Sequence, residues 1–277
     1  MAATMGVTRI GQRDFAWGSR TYVMGILNVT PDSFSGDGVT NSDRAVAQAL
    51  RMESDGADLI DVGGESTRPE TWYGSGLPLD EELDRVLPVV ERLASVVSIP
   101  ISIDTYKAEV ADRAVAAGAA LINDVWALQR DPAMGSVVAR RGVPVVLMHN
   151  NPGGLYDDLM GDICGSLGGS LGIAFRAAIA DSQIILDPGI GFGKTPKENI
   201  EIIRRLPELR QLGYPVLVGP SRKSFIGKTL DLPVDERLEG TAAAVTLAIS
   251  KGADIVRVHD VKAMVRVARM ADAIVRG

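Results

Sequence analysis

The sequence predicts an α/β fold, a closed (β/α)8 TIM barrel, from three observations. Eight short apolar segments alternate with stretches of helical period, glycine repeatedly punctuates the helix-to-strand joins, and nearly every apolar segment ends on a polar or ionisable residue. Buried parallel strands read as unbroken Val/Ile/Leu runs, and in a closed barrel their carboxyl ends open on one face, where active sites sit. The segments are 22–27 ending at Asn28, 57–60 at Asp61, 99–103 at Asp104, 119–122 at Asn123, 143–148 into His149 and 183–186 into Asp187. Two more follow: 214–219 leads into Ser221, Arg222 and Lys223, and 254–256 leads into Arg257 and His259.

Helical periodicity predicts helices over 42–54, 79–97, 108–117, 131–140, 196–212, 238–250 and 261–275. The stretch 157–180 is the poorest helix former, because Gly161, Gly165, Gly168, Gly169 and Gly172 each cost a helix about 1 kcal/mol relative to alanine. It reads as a marginal helix held by packing, or as a close contact at a subunit interface. Gly56, Gly118, Gly142 and Gly252 stand where a helix must stop and the chain turn back into the sheet, which calls for a left-handed residue. Right-handed crossovers leave a doubly wound sheet or closure, and eight units favour closure.

The length of 277 residues suits one barrel, with a core unit over about 20–275, and no linker or composition shift divides the chain. Hydrophobic residues make up 46% and aromatics only 5%, as a Val/Ile/Leu/Ala barrel interior requires. A net charge of −6 argues against a nucleic-acid surface while permitting a local cationic pocket for a small anion. Cys164 is the only cysteine, which excludes an internal disulfide and a thiolate metal cluster and suits a reducing cytoplasm. No secretory leader and no 18-residue apolar run is read, so a cytoplasmic protein with no membrane partner is expected.

Asn28-Val29-Thr30-Pro31-Asp32-Ser33-Phe34 leads into Ser35-Gly36-Asp37-Gly38. Hydroxyls, an amide and carboxylates on a glycine-containing loop suit a lid that excludes water, and an ordinary turn gives no reason for Phe34 among polar neighbours. Asp61-Val62-Gly63-Gly64-Glu65-Ser66-Thr67-Arg68-Pro69 repeats the pattern at the second strand, with glycines that admit close backbone approach and an arginine able to pair with a carboxylate. Its continuation to Gly76 carries Trp72 and Tyr73 and reads equally as a lid or an interface contact. Asp104, Asn123 and Asp187 together suit a flat heterocycle rich in N–H and C=O edges, because carboxylates accept paired N–H donors and an amide both donates and accepts.

Gly191-Phe192-Gly193-Lys194-Thr195 looks like a phosphate loop, but Pro188 occupies the position of the first glycine in that pattern. A nucleotide site is rejected, and Pro188-Gly189 reads as the turn leaving the sixth strand. Ser221-Arg222-Lys223-Ser224 and Arg257-Val258-His259 gather positive charge at the seventh and eighth strand ends, where barrels commonly bind phosphate. His149 and His259 are the only histidines. No carboxylate spacing supports zinc, so anion contact is expected of His259 and a packing or supporting role of His149.

Taken together, the Asn28–Phe34 and Gly63–Pro69 motifs, Ile103-Asp104-Thr105, Asn123-Asp124, Leu186-Asp187-Pro188-Gly189, Ser221–Ser224 and Arg257–Asp260 resemble the dihydropteroate synthase family over residues 20–275. The resemblance implies condensation of 6-hydroxymethyl-7,8-dihydropterin pyrophosphate with p-aminobenzoate, a transfer of an alkyl group, with Mg²⁺ as cofactor. It implies that Asp104, Asn123, Asp187, Lys223 and Arg257 bind the pterin, and that Met148, Phe192 and Gly219 line its flat pocket. Asn28, Arg257 and His259 match the pyrophosphate positions, and Asn28 the metal contact. Phe34, Thr67, Arg68, Pro69, Lys223 and Ser224 match the surroundings of p-aminobenzoate, with Ser224 at a helix start suited to a carboxylate. Asp104, Asp187, Lys223, Phe34 and Arg68 would carry the reaction.

The resemblance further implies a homodimer and competition by sulfonamides. Two departures stand out. The family's first loop usually reads Ser-Asp-Gly-Gly, so Asp37 falls one position late, and the stretch after Pro69 is longer than usual. Two other readings compete: a pterin-dependent methyltransferase, which would not need the first loop together with Ser221–Ser224, and a non-catalytic pterin-binding paralogue.

Overall fold

The computed structural model describes residues 6–29, 41–65 and 76–277. Among these, eight parallel strands form one sheet: β3 (Tyr22–Asn28), β4 (Leu59–Gly63), β5 (Ile101–Asp104), β6 (Leu121–Asp124), β7 (Val145–Met148), β8 (Ile184–Asp187), β9 (Leu217–Val218) and β10 (Ile255–Val258). They pair in the order β8-β7-β6-β5-β4-β3-β10-β9. The seam between β8 and β9 is closed by a parallel bridge from Leu186 to Val216, with Leu186 N–H donating to the Pro215 carbonyl at 2.9 Å. The expected (β/α)8 barrel is the observed fold.

Two strands are shorter than the apolar segments that predict them. β9 spans two residues where six were expected: Pro215 has no N–H, and the Val216 N–H donates to Asp254 Oδ2 at 2.9 Å. The chain around it nonetheless follows the sheet direction. Gln183, expected at the start of β8, belongs instead to a 3-10 turn, Asp181–Gln183.

The described helices are α1 (Asn41–Ser54), α2 (Leu79–Val96), α3 (Ala108–Ala116), α4 (Met134–Arg141), α5 (Leu159–Arg176), α6 (Pro196–Arg210), α7 (Ser224–Leu230), α8 (Leu238–Ser250) and α9 (Val261–Val275). α4 begins three residues later than its periodicity suggests. The Asp131 carboxylate accepts from the N–H of Ala133 at 2.9 Å and from that of Ala108 at 2.8 Å, so it caps the first turn of α3. The glycine-rich α5 does form, burying Met160, Ile163, Leu167, Ser170 and Ala174, while Gly165, Gly168 and Gly169 have open space within this chain where a Cβ would lie. Gly56, Gly118, Gly142 and Gly252 all adopt positive φ, at 100°, 119°, 65° and 100°.

A feature absent from the sequence reading precedes the barrel. β1 (Val7–Ile10) and β2 (Arg13–Ala16) form an antiparallel hairpin. Its Ile10 and Phe15, with Trp17 and Tyr22, pack against Met24, Leu59, Leu121, Val146, Ile185, Leu217 and Ile255. Those seven are the inward-facing residues of seven barrel strands, so the hairpin plugs the amino-terminal end of the barrel. The outward residues of the same strands, such as Ile60, Ile122, Leu186 and Val256, join the larger core beneath the helices.

Candidate active site

Side chains on a strand alternate faces, so the residue two positions beyond an inward core residue also faces inward, one layer higher. Leu59 is followed by Asp61, Leu121 by Asn123, Val146 by Met148, Ile185 by Asp187, Leu217 by Gly219 and Ile255 by Arg257. On β5, buried Ser102 is followed by Asp104. The apolar plug at the bottom and the polar mouth at the top are successive layers of one packed interior.

Arg257 binds the mouth together. Its Nε donates to Asp61 Oδ2 at 2.6 Å and its Nη2 to Asp104 Oδ2 at 2.7 Å. Asn123 Nδ2 donates to the same Asp61 oxygen at 3.0 Å, which leaves its own Oδ1 as an acceptor. Asp61 is fully buried and its Oδ1 has no protein partner. Burial pushes the Asp104 carboxyl up to about 7; the Arg257 cation opposes this and the Asp61 and Glu82 charges add to it.

The other half of the mouth is cationic. Asp187 Oδ1 accepts from Gly189 N–H at 2.7 Å. Burial raises this carboxyl, opposed by the Gly189 N–H and by Lys223, Lys194 and Arg257. Lys223 donates to the Ile190 carbonyl and lies 4.3 Å from the centre of the Phe192 ring. Burial pushes the Lys223 ammonium down to about 8, against the attraction of Asp187, while Arg257 adds to the depression and Asp104 resists it. Met148 and Val125 form a small apolar cluster with Tyr106, Trp126 and Phe192, which supplies a flat wall beside these charges. Gly219 lies against Arg257: a Cβ there would stand 3.6 Å from Arg257 Cβ.

Behind the mouth, Lys194 ties three turns together. Its ammonium meets His149 Nδ1 at 3.0 Å and donates to the carbonyls of Gly189 and Phe192, each at 2.9 Å. Burial and the Lys194 charge push His149 down to about 3, so His149 is neutral. Gly189 adopts φ +71°, and a Cβ there would stand 1.9 Å from the His149 carbonyl oxygen. The lysine of the rejected phosphate loop is thus a strut. At the rim, Ser221 Oγ lies 3.0 Å from His259 Nδ1, and Arg222 is paired with Asp260 through its Nε at 2.8 Å and its Nη2.

The sequence reading missed two groups. Asp61 was seen as a strand end but not as a site residue, although it belongs to the same inward series as Asp104 and Asn123. The second group lies beside the mouth. Lys107 Nζ pairs with Glu65 Oε2 at 2.9 Å and with buried Glu82, which also accepts from Thr105 Oγ1 at 2.7 Å. Burial opposes the Lys107 charge, but Glu82 and Glu65 hold its ammonium above the ordinary lysine value. No spacing rule joins residues 65, 82 and 107, and only the fold does.

Asn28 and Ser224 are exposed, Asn28 at the end of β3 and Ser224 as the first residue of α7. Phe34, Asp37, Thr67, Arg68, Pro69, Trp72 and Tyr73 lie outside the described residues. Among the described residues no group of three His, Cys, Asp or Glu side chains is arranged to hold a metal ion. Asn28 offers one amide oxygen close to Gly63, where an added Cβ would lie 3.9 Å from Asn28 Oδ1 and 3.7 Å from Asp104 Oδ2. A single neutral oxygen fits Mg²⁺, which keeps several waters and is held largely by substrate phosphates.

The barrel mouth combines an Asp/Asn/Arg polar ring with a flat apolar wall, and residues 24–259 match the family model described as pterin binding enzyme. The chain belongs to that family. Within it the chain falls with the dihydropteroate synthases, which are transferases: it is 54% identical over 255 residues to the dihydropteroate synthase of Bacillus subtilis strain 168, covering 92% of this chain and 88% of that one. The dihydropteroate synthase of Xanthomonas albilineans with 4-aminobenzoic acid superposes with a TM-score of 0.92 at 44% identity, covering 97% of each chain. That of Yersinia pestis, solved as a sulfonamide drug complex, gives 0.89 at 43% identity, covering 97% of this chain and 98% of that one.

Proposed function

We propose that the barrel mouth condenses 6-hydroxymethyl-7,8-dihydropterin pyrophosphate with p-aminobenzoate to give 7,8-dihydropteroate and pyrophosphate. The observation that carries this is the ring of Asp61, Asp104, Asn123 and Asp187 organised around Arg257 and closed by Lys223. Its acceptors suit the N–H edge of an aminopyrimidinone, and its amide and ammonium suit the C=O edge. Met148 and Phe192 supply the apolar face on which the bicycle lies. Arg257 and His259 suit the pyrophosphate, and Asn28 ends the neighbouring strand β3, on the same side of the mouth.

The substitution proceeds dissociatively. The bond from the methylene carbon to the pyrophosphate oxygen breaks, with both electrons leaving on oxygen. The pterin ring spreads the positive charge, the aromatic amine forms the C–N bond, and a proton leaves the nitrogen. Arg257 and His259 stabilise the leaving anion, and Asp104 and Asp187 hold the ring that bears the developing cation, so electrostatic preorganisation supplies the main effect. Mg²⁺, when bound with the pyrophosphate, neutralises its charge and improves it as a leaving group. The family resemblance assigns Phe34, Thr67, Arg68 and Pro69, which lie outside the described residues, together with Lys223 and Ser224 to p-aminobenzoate, a role that would keep water from the cation.

The name of the Yersinia pestis neighbour supports sulfonamides as competitors for the p-aminobenzoate position. We read residues 1–277 as a single barrel domain acting in the cytoplasm, a reading supported by the lone half-buried cysteine and by the absence, among the described helices, of one long and apolar enough to cross a membrane. A homodimer is supported by Leu247 on α8 with Met270 and Ile274 on the adjacent α9, which are 54%, 63% and 70% exposed.

The test is formation of dihydropteroate and release of pyrophosphate from the two substrates, with and without Mg²⁺. Metal-dependent, stoichiometric release supports the reaction. Tight pterin binding with no product would overturn it in favour of a silent binding protein.

A further inference from the structure

We propose that Ser221 is a positioning residue that locks His259 in the tautomer carrying its proton on Nε2, so that a neutral ring presents an N–H to the pyrophosphate. The inference rests on the anion-binding role assigned to His259 above.

Ser221 and His259 leave the barrel from adjacent strands. β10 pairs with β9 at Ile255–Leu217 and Val256–Val218, an offset of 38 residues, and Ser221 and His259 keep the same offset beyond the ladder. Where the next backbone pairing would fall, the serine hydroxyl substitutes for the backbone: the His259 N–H donates to Ser221 Oγ at 3.1 Å. The same Oγ lies 3.0 Å from His259 Nδ1. Ser221 is buried, so its hydroxyl does not turn to water instead.

A hydroxyl has one proton to donate. Ser221 Oγ already accepts from the His259 backbone, and its remaining protein partner is Nδ1. Each group is satisfied once when the hydroxyl proton points to Nδ1, which makes Nδ1 the acceptor and leaves the ring proton on Nε2, on the far side of the ring from Ser221. The partner of one ring nitrogen dictates the state of the other, as it does for metal-bound histidines.

The charges that face the ring keep it neutral. Desolvation of the ring disfavours the imidazolium, and Arg257 on β10 with Arg222 and Lys223 after β9 reinforce this, while Asp260 opposes it. A neutral histidine helps an anion only if the nitrogen facing it bears hydrogen, because the other tautomer presents a lone pair to the phosphate oxygen. Removal of the Ser221 hydroxyl frees the ring to adopt that repulsive tautomer.

The experiment uses the full chain labelled with ¹⁵N-histidine, whose two histidines give two ring systems, the one lost in His259→Gln being His259. At about pH 7.5 the His259 ring is expected to carry its proton on Nε2, with Nδ1 bare, and added inorganic pyrophosphate with Mg²⁺ should shift Nε2. Ser221→Ala should admit the Nδ1–H form and weaken pyrophosphate binding about three- to tenfold, as loss of one hydrogen bond does. That loss should shrink on acidification, because an imidazolium donates from both nitrogens, and Ser221→Thr should retain the wild-type pattern. A wild-type ring protonated on Nδ1, or a Ser221→Ala ring indistinguishable from wild type, overturns the inference. Dihydropteroate formation measured on the same wild-type sample separates the two claims: product with the Nδ1–H ring sinks only the serine lock, whereas an Nε2–H ring without product upholds the lock and sinks the reaction.

Discussion

Replacing Arg257 by leucine removes the cation that two buried carboxylates share, and its cost follows from the geometry. Hydrogen bonds to charged groups contribute about 1.5–3 kcal/mol each, and Arg257 makes two, at 2.6 and 2.7 Å. Breaking a buried ion pair by removing one partner costs about 3–5 kcal/mol, because the survivor stays desolvated. The Asn123 amide still reaches Asp61, and Lys223 still attracts Asp104, so the lower end of that range, about 3 kcal/mol, is expected at pH 8.

The cost depends on pH with a definite sign. Asp104 has a folded pKa of about 7, above its unfolded value, so its contribution is fully present below about pH 4 and is lost as pH rises through about 7. Arg257 holds that folded value down, and its removal lifts it further and widens the window. The leucine variant should therefore lose stability more steeply than wild type between pH 5 and pH 8, with a cost of only about 1–2 kcal/mol at pH 5. Asp61→Asn in the same chain should restore about half of the loss at pH 8. Urea unfolding followed by circular dichroism at both pH values, with the denaturant slope held common, measures each quantity. A cost below about 1 kcal/mol that is equal at pH 5 and pH 8 would refute the claim that Arg257 neutralises a buried acidic pair.

Three further outcomes are expected. Lys223→Ala should weaken binding of the dihydropterin pyrophosphate about 10- to 100-fold, seen by calorimetry, while the urea midpoint at pH 7 changes little; because the folded pKa of Lys223 is depressed to about 8, wild type gains stability as pH rises from about 8 to about 10 and the variant lacks that gain. Phe15→Ala opens the hairpin plug at a side chain 1% exposed and should cost about 3–5 kcal/mol in urea unfolding, with KM for both substrates unchanged because the site lies at the opposite end of the barrel. Gly189→Ala places a Cβ 1.9 Å from the His149 carbonyl at φ +71°, and should lower kcat through the displaced Asp187 and Lys194 rather than through stability alone, as a partial rescue of folding by low temperature without recovery of rate would show.

The physical reasons for what was legible differ from element to element. The strand ends were readable because a buried strand has an apolar body, and Asn28, Asp104, Asn123, Asp187 and Arg257 interrupt it at its carboxyl end. The stops at Gly56, Gly118, Gly142 and Gly252 were readable because positive φ favours one residue type. The hairpin was missed because Val7–Ile10 and Arg13–Ala16 carry charges at Arg9, Arg13 and Asp14, and their inward residues become core only once seven other strands enclose them. α4 was placed three residues early because Asp131 serves a neighbouring helix, a use that a one-dimensional period cannot reveal.

The sequence by itself determined the eight units of the barrel and where its chemistry lies: unbroken apolar runs, nearly all closing on a polar residue at the carboxyl end, put the chemistry at one mouth before any contact was known. Only the tertiary structure decided which polar groups became partners. Arg257 reaches Asp61 across 196 residues and Asp104 across 153, Lys107 joins Glu65 to Glu82, and Ser221 meets His259 through the register of two neighbouring strands. Closure of the sheet fixes those pairings, because the stagger of eight strands around a barrel is a global constraint that no local stretch of sequence carries.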